Sequence, residues 1–375
     1  VREYLVVFLV AVAVTYLLAV LAREGAMKVG AYAPVRDRDV HAVPIPYLGG
    51  LAMLFGLLAA YLVASQMPFL SRSEDAVLAD AGAVMVGATV ITLVGVIDDV
   101  YELDALTKFA GQVLAAVITV SMGVQLVYLP LPGSTWAIDP IQSILFSVLT
   151  IVICVNAVNF VDGLDGLAAG VVGIGAIAFF IYAFVLVAEN RQTNAIASAM
   201  LCAALAGVCV GILPHNFNPA RMFIGDAGAM LIGFVLACSA ISLSGRFSAA
   251  EAIQGLGGAE ASLFPALLPL LLPFAVLLVP FVDLLMAVVR RTRAGRSPFA
   301  PDKLHLHHRL LEIGHSHRRA VLAMYMIAGV VAFGAVALGL VGGWRAVAGV
   351  LVMVGVTAFV VFWLPRVGRA SGANP

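Results

Sequence analysis

Eleven apolar runs, each close to twenty residues long, constrain this chain more than any other feature. They fall near 4–22, 47–66, 77–97, 106–126, 140–158, 166–188, 194–213, 226–244, 264–289, 320–341 and 344–364. About 20 residues of helix cross the roughly 30 Å of hydrocarbon in a bilayer, where every backbone N–H and C=O must find its partner inside the chain. The pattern predicts an all-α integral membrane protein with eleven transmembrane helices. Composition agrees: 62% of the 375 residues are apolar and 11% charged, against about 45–50% and about 25% in soluble domains. Eleven spans leave roughly 155 residues for connections, so residues 1–375 are expected to form a single polytopic membrane domain.

An odd number of crossings puts the termini on opposite sides, and lysine and arginine in short loops select the cytoplasmic one. One set of loops and the C-terminal tail carries Arg23, Lys28, Arg36, Arg38, Lys108, Arg221, Arg290, Arg291, Arg293, Arg296, Lys303, Arg309, Arg318, Arg319, Arg366 and Arg369. The other set carries only Arg2, Arg72, Arg191, Arg246 and Arg345. This asymmetry predicts the N-terminus outside and the C-terminus in the cytoplasm. The first run is read as a retained helix because its positive charge follows the apolar stretch, whereas a signal peptide has it in front. Pro265, Pro269 and Pro273 recur every four residues in the ninth span, which predicts a kinked helix. Lys plus Arg equals Asp plus Glu at 21 each, so no basic excess argues for nucleic acid. Cys154, Cys202, Cys209 and Cys238 all lie in apolar runs without a CxxC pair, as small core residues do.

The clusters rich in Asp, Asn and His all fall on the predicted cytoplasmic side. Asp98 and Asp99 end the third span, and ionised groups at a membrane boundary must be paired, metal-bound or solvated; a solvated helix end accounts for an isolated pair equally well. Lys108 follows at the start of the fourth span, within reach of a carboxylate or a phosphate. Asn156, Asn159, Asp162 and Asp165 recur every three residues and, if helical, form a polar stripe that lipid cannot solvate, with Gly163 and Gly166 breaking the helix. Asp226 precedes a long apolar run, which puts it at a helix N-terminus suited either to capping or to a metal-bound phosphate. His305, His307, His308 and Arg309 lie in the longest cytoplasmic loop, 290–319. HExxH is absent and no cysteine is near, so phosphate binding suits these imidazoles better than zinc. Asp283 is expected in a salt bridge at the cytoplasmic end of the ninth span.

Together these strings resemble the polyprenyl-phosphate N-acetylhexosamine-1-phosphate transferases. The resemblance is carried by Asp98-Asp99 with Lys108-Phe109-x-x-Gln112, by Asn156-Ala-Val-Asn159-Phe-Val-Asp162-Gly-Leu-Asp165-Gly, by Phe223-Ile-Gly225-Asp226, and by His305-Leu-His307-His308. With the early stretch His41-Ala-Val-Pro44-Ile-Pro-Tyr-Leu-Gly49-Gly50 it runs from about residue 40 to 320. His-x-His-His followed by Arg309 is similar to the WecA-like branch, which uses UDP-N-acetylglucosamine. The sister branch that transfers phospho-MurNAc-pentapeptide has an uninterrupted histidine triplet, from which Leu306 departs.

The resemblance implies Mg²⁺ or Mn²⁺, a UDP-N-acetylhexosamine donor, a polyprenyl phosphate acceptor, release of UMP, a homodimer, and an active site on the cytoplasmic face of a bacterial plasma membrane. On this reading Asp226 and Asn159 hold the metal, and Asp98, Asp99, Lys108, Asp162 and Asp165 act in catalysis. Asn156, Asn216, Phe223, His305, His307, His308 and Arg309 bind substrate, with Phe223 stacking on uracil. A secondary transporter is the rival from another class, because carboxylates in and beside helices also couple ions. It requires those groups near the midplane or on different faces.

Overall fold

The computed structural model describes residues 1–33, 45–72, 75–131, 134–189, 195–244, 267–276 and 316–363, with positions 193, 278, 289, 292 and 293. In chain order the helices are α1 (Arg2–Val29), α2 (Gly49–Ala64), α3 (Pro68–Arg72), α4 (Asp75–Tyr101), α5 (Ala105–Ser121), α6 (Pro140–Val161), α7 (Leu167–Ala188), α8 (Ala195–Asn216), α9 (Gly225–Ser244), α10 (Leu267–Val276), α11 (His317–Leu340) and α12 (Gly343–Ala358). A π-helical turn, Phe359–Trp363, follows α12.

Among the described residues, eight helices are long and apolar enough to cross a membrane, and α2, α5 and α10 are shorter apolar helices. Each predicted span overlaps one of these eleven. The fold is not wholly helical, however. Tyr32–Ala33 (β1) pairs antiparallel with Ile45–Pro46 (β2), and Tyr128–Leu131 (β3) with Ser134–Ala137 (β4). The predicted fourth span ran to 126, yet α5 stops at Ser121 because Gly123, at φ 108°, turns the chain toward the β3–β4 hairpin. The connection expected over 290–319 is shortened at its end, because α11 starts at His317 with Ser316 as its cap. In the ninth span Pro269 and Pro273 lie within α10, while Pro265, Pro280 and Asp283 are outside the described residues.

Local chemistry explains where the helices begin. Asp104 accepts the N–H groups of Leu106 and Thr107 at 3.0 and 3.1 Å, and Asp139 accepts that of Ile141 at 3.0 Å ahead of Pro140. Both are carboxylate caps on orphan amides. Hydroxyls inside the bundle turn back on their own helices, as Thr92 does to the Ala88 carbonyl and Ser239 to that of Val235, both at 2.7 Å.

Helices α8 and α9 are apolar on every face and form the centre of the bundle, whereas α1 and α12 expose most of their surface. Hydrophobic effect alone cannot join helices in lipid, so close packing of small residues does. On α8, Gly207 lets the Phe8 carbonyl of α1 approach so closely that a Cβ would lie 2.6 Å from it.

Candidate functional site

Four helices meet at one end of the bundle around a lysine. Lys108, one turn into α5, places Nζ 2.8 Å from Asp98 Oδ2 on α4 and 2.9 Å from Asp226 Oδ1 on α9. The same Asp226 oxygen accepts the Asn159 side-chain amide from α6. Asp98 is buried, and its second oxygen accepts the Leu103 N–H at 2.9 Å. The Asp226 side chain keeps 37% of its surface open. A cation therefore joins two carboxylates where one is sealed and the other faces outward.

Asp99 acts differently. Its carboxylate accepts the backbone N–H groups of Asp226 at 2.7 Å and Ala227 at 3.2 Å, so it caps α9 from another helix. Capping was one reading of Asp226 itself. The structure gives that task to Asp99 and leaves the Asp226 side chain pointed at Lys108 and Asn159. Gly225, at φ 68°, makes the arrangement possible: a Cβ there would come within 2.8 Å of the Asp99 carboxyl carbon. The start of α9 is also wedged between glycines of two neighbours. A Cβ on Gly95 of α4 would lie 2.6 Å from the Ala227 nitrogen, and one on Gly50 of α2 would lie 2.5 Å from its carbonyl carbon.

The polar stripe expected over 156–165 is cut in two. Asn156 and Asn159 sit on α6, which ends at Val161; Asp162 closes the helix and Asp165 lies in the turn before α7. Gly166 is the break, at φ 77°. Asp165 is buried, and one of its oxygens accepts the Asn218 side-chain amide at 3.0 Å and the Ala220 N–H at 3.1 Å. Asn216, expected to bind substrate, is 2% exposed; it accepts the Gly166 N–H at 3.1 Å and donates to the Met222 carbonyl at 3.1 Å. Both amide atoms are spent on backbone, so Asn216 staples the 162–166 turn to the 217–224 loop. Asp162 is only partly covered, yet burial, reinforced by the carboxylates of Asp226, Asp99 and Asp165, pushes its carboxyl up to about 8.

Asn156 is held by Gln112, whose Oε1 accepts its amide at 2.6 Å while Nε2 contacts Met230 Sδ at 3.4 Å. Gln112 is 1% exposed, and sequence reasoning gave it no role. Its spacing of four from Lys108 on a helix was the available signal. Phe223 is half-buried, with its ring 6.0 Å from that of Tyr47. Its backbone accepts from Gly49 at 3.1 Å and donates to Pro46 at 3.0 Å, which ties the Gly49-Gly50 stretch to the loop before Asp226. His305, His307, His308, Arg309 and the 41–44 stretch lie outside the described residues.

Among the described residues, no group of three or more His, Cys, Asp and Glu is arranged to hold a metal ion. Asp226 and Asn159 nevertheless suit a hard, oxygen-seeking cation. They touch each other, open outward, and turning the Asn159 amide presents its oxygen in place of its N–H. Mg²⁺ is commonly held by one or two carboxylates, its other positions filled by water and substrate phosphates. The N-termini of α2, α5, α7, α9 and α11 gather at this same end, through contacts among Gly49, Lys108, Gly166, Asp226 and Asn218, and helix N-termini attract phosphate. The carboxylates thus lie together at one end, which is not the arrangement a transporter requires.

Residues 81–244 match glycosyl transferase family 4. The decaprenyl-phosphate N-acetylglucosaminephosphotransferase of Mycolicibacterium smegmatis is 45% identical over 338 residues, covering 89% of this chain and 82% of the relative. The protein of the same description from Mycobacterium leprae is 48% identical over 338 residues, covering 89% and 83%. A Bacillus subtilis protein described as a "probable undecaprenyl-phosphate N-acetylglucosaminyl 1-phosphate transferase" is 30% identical over 341 residues, covering 89% and 84%.

Proposed function

This chain belongs to the polyprenyl-phosphate N-acetylhexosamine-1-phosphate transferases of glycosyl transferase family 4, and we propose that it transfers N-acetylglucosamine-1-phosphate from UDP-N-acetylglucosamine to a polyprenyl phosphate, releasing UMP. The relatives' names favour this sugar over phospho-MurNAc-pentapeptide. The lysine and arginine asymmetry of the loops supports a cytoplasmic site in a bacterial plasma membrane, with eleven crossings and the N-terminus outside.

One observation carries the chemical reading: the Lys108 ammonium held between Asp98 and Asp226, with Asn159 on the same Asp226 oxygen. Both substrates are polyanions, and the reaction must bring a lipid phosphate oxygen to the β-phosphorus of the nucleotide sugar. A new P–O bond forms there, the bond to the bridging diphosphate oxygen breaks, and that oxygen leaves with UMP. Held by Asp226 and Asn159, Mg²⁺ or Mn²⁺ would supply charge neutralisation on the diphosphate and on the leaving phosphate. Lys108 adds a fixed positive charge beside it, anchored by Asp98 so that its position does not depend on substrate.

Asp98 and Asp99 are poor candidates for an obligatory base. Asp98 is committed to Lys108 and Leu103, and Asp99 to the start of α9. A phosphate monoester with a second pKa near 6 is already largely dianionic at neutral pH, so direct attack needs no base. Asp162 is partly covered and lies within the electrostatic reach of Asp226 and Asp99, so binding of a cation there would strip its proton. The histidine loop and Phe223 complete the reading as donor-binding elements, and the assembly is a homodimer.

The test is UMP release in detergent from a panel of UDP-sugars with polyprenyl phosphate, with and without divalent cation. Release confined to UDP-N-acetylglucosamine and abolished by chelation is expected. Release that survives complete chelation removes the cation assignment. Size determination of the purified protein in detergent checks the dimer.

A further inference from the structure

Two loops approach the cluster, the turn 162–166 and the segment 217–224 that leads into α9, and both are held by α11. Tyr325 donates its hydroxyl to the Gly166 carbonyl. That carbonyl also accepts the first hydrogen bond of α7, from Gly170 N–H at 3.0 Å, so both of its lone pairs are used. The Tyr325 ring sits against Gly170 itself, where any Cβ would overlap the phenol. Two turns earlier on α11, Arg318 Nε donates to the Asn218 carbonyl at 2.8 Å.

Residues seven apart share a helix face, and from that face two relays run inward. Tyr325 holds Gly166, whose N–H is held by Asn216, which in turn holds Met222. Arg318 holds Asn218, whose side chain holds Asp165, which also binds the Ala220 N–H. Each relay crosses from one loop to the other. The spacing between Asp162 and the approach to Asp226 is therefore set by where α11 docks, although α11 contributes no group to the cluster around Lys108.

We propose that Arg318 and Tyr325 are positioning residues for the transfer reaction, fixing from α11 the relative placement of the Asp162 turn and the loop before Asp226. The proposal rests on the function given above. Its consequence is that loss of either donor misaligns the nucleotide-sugar side of the site while leaving the helical bundle in place.

Tyr325→Phe is the discriminating variant, because it keeps the ring against Gly170 and removes only the hydroxyl. Expected is a fall of about fivefold in kcat/KM for the nucleotide sugar, the size of one lost neutral hydrogen bond. The KM for polyprenyl phosphate and the thermal midpoint stay unchanged, and amide hydrogen exchange rises in peptides covering 162–167 and 217–224. Arg318→Ala should do the same at the 217–224 loop, with Arg318→Lys restoring most of the loss. Tyr325→Phe with wild-type kinetics and wild-type exchange overturns the proposal. So does a lowered thermal midpoint with unaltered kinetic constants in the folded fraction, which marks a merely structural contact. If wild-type protein releases no UMP from any UDP-sugar, the functional reading fails, while the exchange comparison still decides whether α11 holds the loops.

Discussion

Asp99 and Asp226 are 127 positions apart in the chain, yet the Asp99 carboxylate accepts the Asp226 backbone N–H at 2.7 Å. The contact makes the end of one helix the cap of another and leaves the Asp226 side chain available to the site. Removing a capping side chain costs about 0.5–2 kcal/mol. Asp99→Ala should lose stability of that order and most of its activity together, whereas Asp99→Asn, which keeps one acceptor, should recover much of both. Thermal unfolding in detergent beside a UMP-release assay reads the two effects.

Lys108 and Asp226 should be separable by their cation response. Lys108→Met removes a fixed charge near the reacting phosphates, and losses of about a hundredfold or more in turnover follow removal of such a group. It should still bind Mn²⁺, as followed by its paramagnetic signal. Asp226→Asn should lose activity at least as severely and lose Mn²⁺ binding with it. Equal Mn²⁺ binding in wild type and Asp226→Asn would place the cation elsewhere.

Asp162 gives the protein a pH dependence with a definite sign. Its carboxyl lies at about 8 in the fold against an ordinary 3.8, raised first by burial and then by the carboxylates of Asp226, Asp99 and Asp165. A raised acid favours the fold fully below its ordinary value and loses that contribution as pH climbs toward 8. At pH 7 the group is mostly protonated, so divalent-cation binding should release a proton and should tighten as pH rises through 8. Calorimetry in buffers of different ionisation enthalpy measures that proton, and Asp162→Asn should abolish it.

Gly95 should tolerate no side chain. A methyl there meets the Ala227 backbone, and overpacking of this kind costs about 1–3 kcal/mol or more. Gly95→Ala should therefore push α4 from α9, displace Asp98 and Asp99, and inactivate the protein. Gly355→Ala on α12, where a Cβ meets nothing within 4 Å, should leave both stability and activity near wild type. Comparable losses in both variants would mean that the α4–α9 contact is not the cause.

The legible part of this protein was whatever depends on near neighbours in the chain. Apolar runs located the apolar helices among the described residues, and Asp226 emerged at a helix N-terminus as its context suggested. Ends were less legible where polar residues continue a helix: α6 runs past 158 through Asn159 to Val161, and α5 stops before the hairpin that its apolar character concealed. For Asn216 the sequence context shows a polar residue beside a loop and not the two backbone groups it bonds, the Gly166 N–H and the Met222 carbonyl. The contacts of Gln112, Arg318 and Tyr325 were hidden for the same reason, since their partners lie 44, 100 and 159 positions away.

Hydropathy acts residue by residue, so the chain alone determined that this is a helical membrane protein and which polar clusters resist burial in lipid. Which carboxylate caps, which binds the lysine and which remains open depended on helices approaching within a few ångströms through Gly50, Gly95 and Gly225. Those roles rest on hydrogen-bond geometry across the bundle, and only packing in three dimensions sets it.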